Sequence, residues 1–160
     1  MTQPPVIHDR FTLERTYPAT TSRVFAAFAS QEAKKVWGDT GDLQPGSDSA
    51  APTEFDFRVG GRERFGFGYR GHTYRYDALY YDLVPEQRIV YSYEMYADGA
   101  RISVSVATIE FAKTGQGTAL TWTEQGAYLD GFDGDQASAL RREGTAEMLD
   151  ALAKYLAGQG

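Results

Sequence analysis

Glu124 is the acid in this chain whose setting best suits chemistry. It follows Leu120 and Trp122 at every second position, which places all three on one face of a strand. A carboxyl turned into an apolar interior has its charged form disfavoured, and becomes a candidate general acid or base. The same carboxyl at the strand's exit would sit in water or pair with Arg141 or Arg142, the ordinary fate of a partly buried acid. Around it stands an unusual supply of rings, with 11 Tyr, 9 Phe and 2 Trp in 160 residues. Phe65, Phe67 and Tyr69 alternate on one strand, and Tyr91 and Tyr93 on another. With Trp122 and Met148 they are expected to share a concave face. Tyr74, Tyr76 and Tyr80 form one face of their own strand, inward or outward. Trp37 is expected at a cavity mouth. The candidate ligand-binding set is therefore Trp37, Phe65, Phe67, Tyr69, Tyr76, Tyr91, Tyr93, Trp122, Glu124 and Met148. Rings would contact a ligand's body and hydroxyls would orient it, or the rings simply fill the core.

Other chemistries find little support. The two histidines, His8 and His72, lie far apart and lack ligand spacing, so no metal is expected. There is no cysteine, and no serine sits in a nucleophile elbow. Gly60-Gly61 and Gly66-x-Gly68 precede strands and not a helix, so they read as turn and bend glycines; no cofactor is expected. A net charge of -6, without a basic cluster, repels phosphate backbones and argues against nucleic acid. Residues 1–9 lack the apolar stretch of a signal peptide, and no apolar run is long enough for membrane insertion. The expected location is cytoplasmic.

The elements that must position these residues are legible in outline. Residues 8–17 alternate as a first strand, ended by Pro18. Thr20 or Thr21 can cap a short helix carrying Val24, Phe25 and Phe28, and Ser30 caps a second over 31–37. Residues 39–52, rich in Gly, Asp, Ser and Pro, read as a flexible loop. Strands are expected over 54–59, 63–70, 73–83, 89–96, 102–111 and 118–124, joined by hairpin turns into an antiparallel meander. Within 102–111, Ile102, Val104 and Val106 alternate out of phase with Ala107, Ile109 and Phe111. That conflict calls for a bulge or for cover on both faces, the latter by a homodimer partner. One long helix, about 135–157, closes the chain; Asp133 or Asp135 can cap it. Its expected apolar stripe is Leu140, Gly144, Met148, Ala151, Leu152, Tyr155 and Leu156. Only a concave sheet offers that stripe enough cover. The fold class is thus a single α+β domain over 1–160, about seven antiparallel strands curving around a C-terminal helix that meets them at its small residues.

Several landmarks in order resemble a known superfamily. They are Arg15-Thr16-Tyr17-Pro18-Ala19, Arg23-Val24-Phe25-Ala26-Ala27-Phe28, Val36-Trp37-Gly38, residues 55–62, residues 85–91, residues 117–126 and Arg142-Glu143-Gly144. The chain resembles the START-like, or SRPBCC, superfamily, and within it the branch similar to the C-terminal domain of the activator of heat shock protein 90 ATPase. The resemblance implies a helix-grip fold and, for many members, binding of small hydrophobic ligands. The chain departs from the branch twice: Val36 stands where it often has a first of two tryptophans, and Arg141 and Thr145 stand where it often has the His and Trp of His-x-x-Gly-Trp. The expected function is binding of a small hydrophobic or aromatic molecule without covalent chemistry. The alternatives are a cyclase, aromatase or hydratase using the same cavity, and a protein-interaction domain like the co-chaperone.

Overall fold

A computed structural model describes residues 6–38, 44–45 and 53–158. Strand β1 (Ile7–Tyr17) leads into α1 (Thr21–Ala29) and α2 (Gln31–Trp37). Both helices start on side-chain caps: Thr20 accepts from the Arg23 backbone N–H and Ser30 from that of Ala33. Two short strands follow, β2 (Gln44–Pro45) and β3 (Glu54–Phe55), and both pair with β4 (Arg62–Tyr69). Then come β5 (His72–Val84), β6 (Arg88–Ala97), β7 (Ala100–Thr114) and β8 (Gly117–Tyr128). A 3-10 turn at Gly134–Gln136 opens the long helix α3 (Ala137–Gly158). Of the predicted loop 39–52, only β2 lies among the described residues.

The strands form one antiparallel sheet in the order β1-β8-β7-β6-β5-β4-β2. The helices cover its inner face, giving the expected α+β helix-grip architecture. Tyr17 donates its hydroxyl to the Leu149 carbonyl at 2.9 Å and ties α3 to β1. Arg23 donates to the Leu156 carbonyl at 2.8 Å and ties α3 to α1. The core gathers Val24, Phe28, Ile89, Ile109, Leu120, Trp122, Leu149 and Leu152, each at most 3% exposed.

Three local expectations are corrected, and the phase conflict in β7 is resolved by a register irregularity. The strand predicted over 54–59 ends after Phe55. Gly61 must lie almost against the Asp56 carbonyl, where a Cβ would stand 2.0 Å from that oxygen, and this contact folds 56–61 into a turn. The stripe of α3 is rotated: Thr145, Leu149, Leu152 and Leu156 are buried, whereas Leu140 is 42% exposed and Gly144 faces open space. Helix and sheet therefore meet through leucines, not through small residues. Asp133 makes no side-chain cap to the turn that precedes α3. In β7 the register with β8 runs unbroken from Ser103 to Thr114, so Ser103, Ser105, Ala107, Ile109 and Phe111 face inward. The irregularity falls on the β6 side, between Met95 and Tyr96, and sets Ile102 apart. Val104 and Val106 lie on the outer face, 39% and 42% exposed.

Candidate functional site

Register alone fixes which rings share the concave face. Phe65 pairs with Tyr76 and Phe67 with Tyr74 across β4 and β5. Across β5 and β6, Tyr76 pairs with Met95, Ala78 with Tyr93, and Tyr80 with Tyr91. Side chains alternate across a strand, so Tyr74, Tyr76 and Tyr80 all point inward with Tyr91 and Tyr93. The rings then order themselves by depth. Phe65, Phe67, Tyr69, Tyr74 and Tyr76 are half-buried, while Tyr80, Tyr91, Tyr93 and Trp122 are buried. Tyr76 bridges the two groups, stacked 4.9 Å from Phe65 and lying 5.0 Å from Tyr93 between ring centroids. The result is an aromatic shelf that leads from the β4 side of the sheet into the core.

At the inner end of the shelf is a buried polar cluster. Glu124 is 1% exposed. It accepts the Tyr93 hydroxyl at 2.7 Å and the Trp122 indole N–H at 3.3 Å. Arg141, from the first turns of α3, donates Nη1–H to the Tyr93 oxygen at 2.7 Å and Nη2–H to Ser103 Oγ at 2.9 Å. Its guanidinium stands 3.9 Å from the Glu124 carboxylate and lies against the faces of Tyr93 and Tyr128. Burial pushes the Glu124 carboxyl above its ordinary value, against the pull of the Arg141 charge and the two donors. Burial also raises the Tyr93 phenol, which keeps its proton and remains a donor.

The space beside Arg141 is narrow. A void bordered by Arg141, Ile102, Tyr128, Ala137 and the 129–134 loop measures about 10 Å³, room for about one water. Deeper in, Tyr80, Tyr91 and Trp122 meet edge to face, with centroids 5.9 and 6.3 Å apart. Met148 of α3 packs on the same cluster. The loop's Phe132 reaches to within 5.2 Å of His72, beside Tyr74.

A second acidic cluster lies on the same face. Glu63 is 5% exposed, accepts the Tyr80 hydroxyl at 2.7 Å and pairs with Lys34 of α2 at 2.5 Å.

Phe65, Phe67, Tyr69, Tyr76, Tyr91, Tyr93, Trp122, Glu124 and Met148 thus lie on or against one face. Trp37 does not stand at a mouth. It is 3% exposed, packs 4.9 Å from Phe28 and donates its indole N–H to the Ala27 carbonyl. A tryptophan closing a short helix reaches back over the preceding helix, which turns this ring into core. Sequence patterning passed over Ser103, Ser105, Glu63 and Lys34. The two serines were detectable only by running the Ala107, Ile109, Phe111 alternation backward, because inward serines weaken the apolar signal. Among the described residues no group of three His, Cys, Asp or Glu could hold a metal ion, and no helix is long and apolar enough to cross a membrane.

Comparisons with known proteins agree with this architecture. The protein Mll3558 of Rhizobium loti is 45% identical, with a TM-score of 0.81 over 95% of this chain and 99% of its own. A Rhizobium leguminosarum protein is 37% identical, with a TM-score of 0.81 over 95% and 96%. At 20% identity, DynU16 of the dynemicin biosynthetic locus shares the fold alone, with a TM-score of 0.63 over 92% of this chain and 47% of its own. No curated protein matches. The family profile described as activator of Hsp90 ATPase homolog 1-like protein matches residues 18–157, and the chain belongs to that family.

Proposed function

We propose that the concave face binds a small apolar or aromatic molecule, without covalent chemistry. One observation carries this reading. A shelf of half-buried rings, Phe65, Phe67, Tyr74 and Tyr76, ends at a polar cluster in which Tyr93, Glu124 and Ser103 are buried and Arg141 is partly exposed. Apolar walls with a few convergent polar tips are the make-up of a small-molecule site. A core built only for stability has no use for an arginine and a glutamate at its floor, since buried ion pairs add little over apolar packing. The void beside Arg141 measures about 10 Å³, so this long, unbranched side chain must shift to admit a ligand at the cluster.

The test is thermal unfolding across a panel of aromatic and aliphatic compounds. At least one is expected to raise Tm in proportion to the logarithm of its concentration above Kd. A flat response over the panel, together with a crystal structure whose interior stays closed, would end this reading. A cyclase- or hydratase-type reaction is favoured by one further observation: Glu124 is desolvated and hydrogen-bonded to a phenol, as a general acid or base would be. Should turnover of any substrate be found, Glu124→Gln that keeps it would remove the residue from that role.

A further inference from the structure

One buried hydroxyl stands outside the hydrogen-bond network of this face. Ser105 is 1% exposed, and its Oγ has no hydrogen-bond partner among the described residues. Buried polar groups are nearly always paired, and an orphan of this kind points to a missing partner. Its cross-strand neighbours are Tyr93 on β6 and Gly126 on β8. A Cβ at position 126 would come within 2.7 Å of Ser105 Oγ, so glycine there leaves the hydroxyl room that any other residue would take. Ser103, two residues along the same face, accepts Arg141. The sheet's floor at Ser103, Ser105 and Gly126 therefore carries no bulky side chain. Arg141 crosses it, and the same Arg141 borders the void under the 129–134 loop.

The charge balance narrows what could dock there. Arg141 and Glu124 stand 3.9 Å apart and offset each other. A further buried charge would have no counter-ion and would meet a large desolvation cost. A neutral oxygen meets no such cost and can pair with a hydroxyl, which both donates and accepts.

We infer that the molecule bound on this face is a neutral ring compound bearing a hydroxyl or carbonyl oxygen, and that Ser105 is the residue that hydrogen-bonds that oxygen. This inference rests on the binding function proposed above. The experiment titrates the full chain with naphthalene, 2-naphthol and 2-naphthoate at neutral pH, for the wild type and for Ser105→Ala. The 2-naphthol is expected to bind roughly fivefold to tenfold more tightly than naphthalene, the worth of one hydrogen bond, and more tightly than 2-naphthoate. Ser105→Ala should erase the preference for 2-naphthol over naphthalene, leave naphthalene unchanged and raise the Tm of the unliganded chain, because it removes an unpaired buried group. Tightest binding of 2-naphthoate would overturn the inference. So would a preference for 2-naphthol that survives in Ser105→Ala, which would mean that the ligand's oxygen pairs with another group. Equal binding of naphthalene and 2-naphthol would also overturn it, while leaving the binding function standing. No binding by any of the three would overturn this inference alone, because the binding function is judged on the wider panel and the crystal structure.

Discussion

Two carboxylates are buried on the same face of one sheet, and they are built to different ends. Glu63 and Glu124 each accept a tyrosine hydroxyl at 2.7 Å, and each has a cation reaching down from a helix. At Glu63 the cation makes direct contact: Lys34 Nζ lies 2.5 Å from the carboxylate, and its stem emerges far enough for the pair to be partly solvated. At Glu124 the guanidinium stands back at 3.9 Å and gives its N–H groups to Tyr93 and Ser103. The first arrangement gathers both donors on one oxygen, Oε1, and pins α2 to β4 and β5. The second retains polar capacity in a buried place. A carboxylate's burial says little about its role; the spare hydrogen-bonding groups beside it say more.

Mutations that treat the two clusters alike should separate them. The largest effect is expected from Glu63→Leu, which strips the acceptor from both Lys34 and Tyr80 and should cost about 3 kcal/mol. Urea denaturation measures it, and aromatic probes should bind the folded variant as they bind the wild type. A loss below about 1 kcal/mol would show that the pair is not a clasp. Arg141→Met should cost less, about 2 kcal/mol at neutral pH, because Tyr93 and Trp122 still support Glu124. Its cost should shrink in acid, where Glu124 takes up a proton and no longer needs a counter-charge; an equal cost at pH 5 and pH 8 would contradict the coupling.

The smallest effect is a pH slope. Burial holds the folded Glu124 carboxyl above the ordinary value of 4.5. Folding therefore favours its protonated form. That contribution is complete below the unfolded value and is lost as pH rises through the folded one. Relative to Glu124→Gln, the wild type should lose stability between about pH 4 and neutrality, as read from unfolding free energies at each pH. A difference that does not change with pH would place Glu124 in a more polar setting than its burial implies.

Much of the fold could be read before the structure, for local reasons. Thr20 and Ser30 cap their helices because hydroxyl residues precede apolar turns, and Pro18 ends β1 by geometry alone. The misreadings arose where distant contacts decide. The turn at 56–61 depends on the close approach of Gly61 to the Asp56 carbonyl, which no pattern within 54–59 reveals. The apolar pattern of α3 lies one helical position away from the buried stripe, because it includes the exposed Leu140. The helix's first turns instead overlie the polar floor, where Arg141 and Ser138 are the inward residues. The candidate site was legible as a set of rings, through the alternation of β4, β6 and β8. Its depth order and its serine floor were not. Both depend on cross-strand register, which hydrophobic pattern sets only when the inward residues are apolar.

The placement of α3 has a mechanical corollary. The helix lies mainly against β1, α1 and α2, bolted at Tyr17 and Arg23, while β4 and its two short partners form the opposite border. A sheet clamped along one margin bends most easily at the other. Deformation of this molecule should be hinged, with the ring-bearing margin lifting away as a flap while the leucine-packed margin stays rigid.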